Sequence, residues 1–185
     1  MADVFVTIQT RRTLPMFDAN RSVPQELLEK AIEAASWAPN HHLTEPWQFY
    51  QLGPETTAGY LDLLYTVIAE LKDSTLAQKK FEKGQTVPGW MVVTCANDDS
   101  SELELMEDCA AVSCAIQNFA LVLWEAGVGM KWSSGPIIRD PRFYELLGID
   151  ATREMIMALI PYGYPKLTPE PRPRKPVAEI LKMLA

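Results

Sequence analysis

Residues 109–124 read Cys-Ala-Ala-Val-Ser-Cys-Ala-Ile-Gln-Asn-Phe-Ala-Leu-Val-Leu-Trp, the longest near-apolar stretch of the chain. Acidic residues crowd the segment before it, where a helix N-terminus favours negative charge, so the pattern predicts a helix from about residue 103 to residue 125. Its apolar residues surround the whole axis, and such a helix must be covered on every side. We therefore expect it at the centre of the fold or in a subunit interface. A stretch of 16 residues is shorter than the roughly 20 needed to cross a bilayer, so no membrane span is predicted.

Helices and strands are interspersed on both sides of this helix. Ser22 and Gln25 have the spacing of a capping box, and the helix after them should end near Trp37, because Pro39 disfavours helical geometry in the residue before it. Further helices are predicted over residues 55–72 and 140–147, and strands over residues 47–52, 88–95 and 155–161. Without a regular β-α-β rhythm, the α+β class is favoured over a doubly wound sheet.

The composition is that of an ordinary globular protein, with 48% hydrophobic and 22% charged residues. The length of 185 residues predicts a single domain over residues 1–185, ending in a Pro- and Arg-rich tail. A net charge of −7 argues against nucleic acid or a membrane as a partner, since both surfaces attract an excess of cations. The three cysteines have no metal-ligand spacing and no targeting segment is evident, so we expect a cytoplasmic location.

Two basic clusters stand out against this acidic background. One is Arg11-Arg12-Thr13, ahead of the first capped helix, and the other is Arg-Pro-Arg-Lys-Pro at residues 172–176. Arginine offers paired hydrogen bonds that match a phosphate, so the two clusters could form one compact anion site. The alternative is two separate basic stretches exposed to solvent.

Residues 38–47, Ala-Pro-Asn-His-His-Leu-Thr-Glu-Pro-Trp, form a polar turn between two prolines. His41 and His42 are the only histidines of the chain, too few for a histidine-based metal site. The sequence has no dinucleotide-binding glycine motif, phosphate loop or nucleophile elbow. The turn is either a plain helix-to-strand connection or part of a site whose difficult chemistry belongs to a bound cofactor.

Taken in order, these segments resemble the FMN-dependent nitroreductase family, and most of all its minimal, short-chain members. The motifs are Arg11-Arg12-Thr13, Ala38-Pro39 with Pro46-Trp47-x-Phe49, Ala-Gly-Val-Gly at 126–129 with Trp132-Ser-Ser-Gly135, Gly148-Ile149, and Tyr162-Gly-Tyr-Pro165. They cover nearly the whole chain. The chain also departs from the family pattern, with Leu43 and Glu45 where members often carry amide residues, and Leu14-Pro15-Met16 where many place another Arg or Lys.

The resemblance implies an α+β fold with a mixed, mainly antiparallel central sheet flanked by helices. It also implies a homodimer with FMN bound at the subunit interface. Carried over by position, the residues expected to bind FMN are Arg11, Arg12 and Thr13 at the phosphate and ribityl chain, Arg172 and Arg174 from the tail, His41 toward the partner's flavin, and Trp132, Ser133 and Ser134 along the ring. No side chain is expected to act as a catalytic nucleophile, because the chemistry would take place on the flavin.

The function implied by the resemblance is an oxidoreductase that passes a hydride from NADH or NADPH through FMN to a small-molecule electron acceptor, such as a nitro compound or a quinone. The alternative is a flavin-binding or dimeric interaction protein with little reductase turnover. The replacements at Leu43 and Glu45 bear on this choice, because neither side chain can donate a hydrogen bond to flavin oxygens as an amide would.

Overall fold

The computed structural model describes residues 3–97 and 101–184. The helices are α1 (Val4–Thr10), α2 (Gln25–Ser36), α3 (Pro54–Leu71), α4 (Ser74–Gln85), α5 (Glu102–Glu125), α6 (Pro141–Leu147) and α7 (Val177–Ile180). The strands are β1 (Trp47–Gln51), β2 (Gly89–Ala96), β3 (Gly129–Met130) and β4 (Glu154–Gly163). Short 3-10 turns occupy His41–Leu43 and Pro136–Arg139. The mixture confirms the α+β class.

The four strands form an antiparallel sheet in the order β1-β2-β4-β3. The central strand β2 pairs along its length with β4, which places Met91 opposite Ile160. Within residues 3–97 and 101–184, the parallel component is an isolated bridge between Thr13 and Met130 at the β3 edge. The prediction of a mainly antiparallel central sheet is therefore confirmed, and its parallel part is this single bridge.

Side chains of β2 alternate between the two faces of the sheet, and each face carries its own hydrophobic cluster. Val93 is buried in the cluster that contains Phe119 of α5. Its neighbour Val92 is buried in the other cluster, with Tyr60 of α3 and Phe143 of α6. Helices therefore flank the sheet on both sides, as the family resemblance implied.

The apolar stretch that dominates the sequence lies in α5, a helix of 24 residues. Ser101 caps it through a capping box with Glu104, which satisfies backbone donors at its first turn. By length and composition α5 could cross a membrane, but core helices of soluble proteins share these properties. Val112, Phe119 and other residues of α5 are buried in the core, so packing within the chain accounts for much of its apolar character.

One face of α5 is left uncovered by residues 3–97 and 101–184 of the chain. Leu103, Met106, Ala110 and Cys114 recur there at helical spacing, and all four are exposed. The expectation that α5 is covered on every side is therefore not met within one chain. A second copy of the chain is the partner that the sequence predicted for such a face.

Several local differences separate the structure from the sequence predictions, among them the short elements β3 and α7, which were not predicted. Ser22 does not cap α2, which begins after Pro24 without a side-chain cap, so the predicted capping box is wrong. Helix α4 was not predicted, because only its Ala77 and Gly84 are buried and its apolar pattern is weak. Helix α1 was also not predicted, since none of its residues is buried.

Candidate functional site

The first feature of the candidate site is a cluster of arginines at the end of α1. Arg11 and Arg12 are half-buried, and the Nε atoms of both are buried without a hydrogen-bond partner among the described residues, although Nη1 of Arg12 donates to the carbonyls of Gln9 and Arg11. Burial lowers the pKa of Arg11 first, and the nearby charges of Arg12 and Arg174 lower it further. Among the described residues, no carboxylate forms an ion pair with any of the three. A group of cations with unused donors is suited to an anion, most of all to a phosphate.

The chain that follows the two arginines is held firmly against the sheet. Thr13 bridges to Met130, and the backbone N–H of Leu14 donates to the carbonyl of Met130 over 3.1 Å. Leu14 is fully buried and packs so closely on Gly129 that a side chain at residue 129 would clash with it. The glycine thus lets the segment approach β3, which fixes the arginines beside the sheet edge.

A cavity of about 410 Å³ opens next to this segment, between the sheet edge and helices α3 and α4. Leu14 and Pro15 form one wall, and Trp132, Ser133 and Ser134 form another. Trp90 also lines the cavity, and its indole N–H is buried without a partner in the part of the chain that the structure describes. The volume and the mixture of aromatic, aliphatic and polar walls are typical of small-molecule sites.

Backbone hydrogen bonds hold the Trp132 to Ser134 wall in place. Ser133 and Leu159 exchange two bonds of 3.0 Å, and the Trp132 indole N–H donates to the carbonyl of Met157 over 3.2 Å. The amide of Ser133 is therefore already used by the sheet. The amides of Ser134 and Gly135 make no backbone hydrogen bond within the described chain, so they are the donors left for a ligand.

Three lysines line the same cavity, and sequence reasoning did not single them out. Lys80 and Lys83 lie one turn apart on α4, and Lys131 follows β3. Burial lowers the pKa of Lys131 first, followed by the charges of Lys83 and Lys80, so the three ammonium groups are electrostatic neighbours. The spacing of Lys80 and Lys83 places both side chains on one face of a helix. Sequence analysis could have used this only if it had recognised α4 as a helix.

A comparison of the sequence with models of protein families agrees with the geometry of the arginine cluster and the cavity. The model of the Nitroreductase family matches residues 8–164 of the chain. This chain belongs to the nitroreductase family. The match spans both walls of the cavity and ends before the tail, so Arg172 and Arg174 lie outside it.

Individual relatives agree with this membership. YfhC of Bacillus subtilis (strain 168), named as an NAD(P)H nitroreductase, is 32% identical over 93% of this chain and 89% of its own. A nitroreductase-like family protein from Bacillus cereus superposes with a TM-score of 0.90 and 28% identity, over 100% of this chain and 97% of the other. A nitroreductase from Desulfovibrio desulfuricans, solved in complex with FMN, has the same fold with a TM-score of 0.75 and 21% identity, over 100% and 98%.

The two arginines of the tail, Arg172 and Arg174, differ in their relation to the arginine cluster. Arg174 is close enough to Arg11 to affect its pKa, although the two are far apart in sequence. The Arg174 guanidinium also donates to the carbonyl of Arg172 over 3.0 Å. Arg172 thus acts in the described contacts through its backbone, and its role at a phosphate stays a prediction.

His41 does not line the cavity of this chain. Its Nδ1 lies 2.7 Å from Oε2 of Glu107 on α5, and next to it the Thr44 hydroxyl donates to Asp108 over 2.7 Å. The predicted contact of His41 with the flavin of a partner subunit therefore stays a prediction.

The backbone of the same turn is unusual. His42, Leu43 and Glu45 have φ values of 54°, 56° and 44°, in the left-handed region that non-glycine residues rarely adopt. The contacts with α5 hold the turn in this conformation.

Proposed function

We propose that this protein is an FMN-dependent oxidoreductase that takes a hydride from NADH or NADPH and delivers it to a nitro compound, a quinone or a similar acceptor. The observation that carries the proposal is the cluster of Arg11, Arg12 and Arg174 beside the aromatic cavity, in which the Nε atoms of Arg11 and Arg12 are buried without a partner among the described residues. The names of the relatives, which include NAD(P)H nitroreductase and a complex with FMN, support it.

The residues of the site fit FMN at both ends of the molecule. Arg11, Arg12 and Arg174 would hold its phosphate, because arginine N–H groups pair well with phosphate oxygens. Thr13 would lie along the ribityl chain, and the isoalloxazine ring would occupy the cavity beside Trp132. When bound, FMN supplies the chemistry of accepting and returning a hydride.

The protein's own contribution is binding, orientation and exclusion of water. Buried Leu14 and Trp90 offer apolar surface to a flat ring, and they keep bulk water from that wall. The free amides of Ser134 and Gly135 can donate to negative charge that develops on the ring, and their positions are fixed before the reaction by the bonds of Ser133.

We further propose a homodimer. Apolar side chains on three separate elements are exposed in the single chain, including Phe5 of α1, Met106 of α5 and Met183 of the tail. Exposed apolar surface of this extent marks an interaction site on a monomer of 20.8 kDa. A second copy would cover the outer face of α5 and bring His41 toward a second site.

Sedimentation tests the dimer directly. At micromolar concentration the protein should sediment at about twice 20.8 kDa. Ala110→Arg places a charge on the exposed face of α5 and should weaken the assembly, whereas Ala58→Arg, on the exposed surface of α3, should not. A folded wild-type monomer at this concentration would contradict the proposal.

Anaerobic absorbance titration tests the flavin reaction. Purified protein, reconstituted with FMN, should be yellow, and NADH or NADPH should bleach it rapidly. Reoxidation by a panel of nitro compounds and quinones then identifies the acceptor class. Failure to retain FMN overturns the proposal, and retention without bleaching by either nicotinamide favours a flavin-binding protein with little turnover.

Such a reaction suits the cytoplasm. Cys95, Cys109 and Cys114 are all free thiols, although Cys95 and Cys109 approach with their sulfur atoms 3.9 Å apart. Free cysteines rather than disulfides are typical of a reducing compartment.

A further inference from the structure

The lysines of the cavity are not explained by the family resemblance or by the arginine cluster. Lys80 and Lys83 of α4 and Lys131 after β3 line a cavity whose other lining residues, among those that the structure describes, are uncharged. None of the three forms an ion pair with a carboxylate of the described residues. Three positive charges around one cavity contrast with the net charge of −7 for the whole chain.

The positive charge continues into a second cavity. Pro15, Phe17, Lys83 and Val87 line both spaces, so the second cavity, of about 600 Å³, adjoins the first. It adds one further cation, Lys166, and one carboxylate, Asp18. The Asp18 carboxylate accepts the backbone N–H of Asn20 at 3.1 Å, which partly satisfies it within its own turn. The two spaces together thus hold four lysines and one acid among the described residues.

We propose that Lys80, Lys83 and Lys131 bind the anionic group of the substrate that exchanges a hydride with the flavin, and so select carboxylated or phosphorylated substrates over neutral ones. The inference rests on the proposed function, because it assigns the substrate class of the same site. It goes beyond that function in predicting charge selectivity, which the names of the relatives do not state.

Two arguments assign these lysines to the substrate. The FMN phosphate already has its own cations, because Arg11, Arg12 and Arg174 form a separate cluster whose members do not line this cavity. The lysines are also exposed, with ammonium groups on flexible stems, and Lys83 stands where the two cavities meet. A mobile cation at a shared wall can follow substrates of different shape, whereas the half-buried Arg11 and Arg12 suit one permanent ligand.

The electron donor and the acceptor both pass through this site, and either can carry the anion. NADPH differs from NADH by one phosphate, and an acceptor can carry a carboxylate. The shared chemistry is a small oxyanion attached to a molecule whose reactive part reaches the ring. The two sources can be separated with matched pairs of ligands.

The test measures binding to the oxidised, FMN-loaded protein without a reductant, so that no turnover occurs. Changes in flavin absorbance give dissociation constants for 4-nitrobenzoate against 4-nitrobenzamide, and for NADP⁺ against NAD⁺. The charged member of at least one pair should bind more tightly in the wild type. Lys83→Met should weaken that binding about three- to fivefold, and Lys80→Met/Lys83→Met about tenfold, with the neutral partner unchanged. Raising the salt concentration should reduce the preference, because exposed charges are screened.

Lys79→Met is the matched control, because Lys79 is an exposed neighbour on α4 that does not line either cavity. Its selectivity should equal that of the wild type. If Lys83→Met loses selectivity in the nitrobenzoate pair alone, the anion belongs to the acceptor. If it loses selectivity in the nicotinamide pair alone, the anion belongs to the donor.

Three results overturn the inference while leaving the proposed function intact. The first is a wild type that binds charged and neutral partners equally. The second is an equal effect of Lys79→Met, which would indicate a general surface field. The third is a loss of FMN retention in Lys80→Met or Lys83→Met with an unchanged ratio between partners, which would place these lysines at the flavin. Failure to bind FMN at all would instead contradict the proposed function.

Discussion

Two arginine sites in this molecule have opposite environments. Arg142 of α6 donates two hydrogen bonds to Glu70, of 3.0 and 2.8 Å, and further bonds to both carboxylate oxygens of Asp140. These hydrogen bonds raise the pKa of Arg142. Within the described residues Arg11 has no such partner, and its pKa is lowered by burial and then by two neighbouring cations.

The difference separates an arginine that joins parts of the fold from one that is free to bind a ligand. Arg142 connects α6 to α3 and has its charge balanced by two acids. Arg11 and Arg12 instead keep buried donors unused, which costs free energy in the absence of a partner. The orphaned donors, rather than the number of basic residues, mark the binding site.

The largest expected effect is on FMN retention. Arg11→Ala or Arg174→Ala should raise the Kd for FMN by about 10- to 100-fold, since a charged hydrogen bond contributes roughly 1.5–3 kcal/mol. Lysine at either position should restore only part of the affinity, because the paired donors are lost. Fluorescence titration of the apoprotein with FMN gives the values.

Arg142→Ala is the control for that measurement, and its FMN affinity should equal that of the wild type. If Arg11→Ala also retains FMN with unchanged affinity, the assignment of the phosphate site is wrong.

The second effect is on thermal stability in the presence of the ligand. FMN at 100 times its Kd should stabilise the wild type and Arg142→Ala by about 2.7 kcal/mol, because it binds only the folded chain. At the same FMN concentration, Arg11→Ala should gain much less. Melting curves with and without FMN measure this, and an equal gain in all three proteins would remove the distinction between the two arginine sites.

A third, smaller effect concerns the turn that contains His41. If His41 donates a hydrogen bond to the reduced flavin of the partner subunit, His41→Ala should lower the flavin potential by about 10–30 mV, with slower reduction by nicotinamide. His42→Ala should change it less. Redox titration of both variants decides, and equal potentials in the three proteins would exclude this role for His41.

The smallest effect is on the stability contributed by Arg142. Its hydrogen bonds lower the pKa values of Glu70 and Asp140 below their ordinary values. Carboxyls with a lowered folded-state pKa stabilise the fold above their unfolded pKa, and this contribution is lost as pH falls through the folded pKa. The difference in stability between the wild type and Arg142→Ala should therefore be small at neutral pH and vanish in acid. Urea unfolding across this pH range checks it, and a difference that grows in acid would contradict the reasoning.

Much of the fold could be predicted from the sequence, because apolar periodicity specifies buried elements. The predicted strands near Trp47, Val92 and Ile160 are all present, as are α3, α5 and α6. Periodicity failed where burial is slight, as in α4, whose exposed face is polar, and in α1, whose apolar residues have no cover within the chain.

The candidate site was predictable only in part. The sequence left open whether the two basic clusters meet, and it was the family resemblance that favoured the proximity of Arg11 to the tail. The cavity lysines come from α4 and from the segment after β3, about 50 positions away, so only the folded chain shows that Lys83 and Lys131 share a cavity. The departure at Leu43 was visible in the sequence, but its backbone conformation was not.

The left-handed turn at His42, Leu43 and Glu45 has a consequence for protein engineering. A non-glycine residue held in this region costs on the order of 1–3 kcal/mol. Leu43 is 81% exposed, so Leu43→Gly would relieve that cost while sacrificing little packing. A library screened only for heat resistance would therefore enrich glycine at this position wherever the relieved strain exceeds the extra backbone entropy of glycine in the unfolded chain. Leu43→Gly would also loosen the loop that positions His41, so thermostable variants should be screened for their flavin potential as well as their melting temperature.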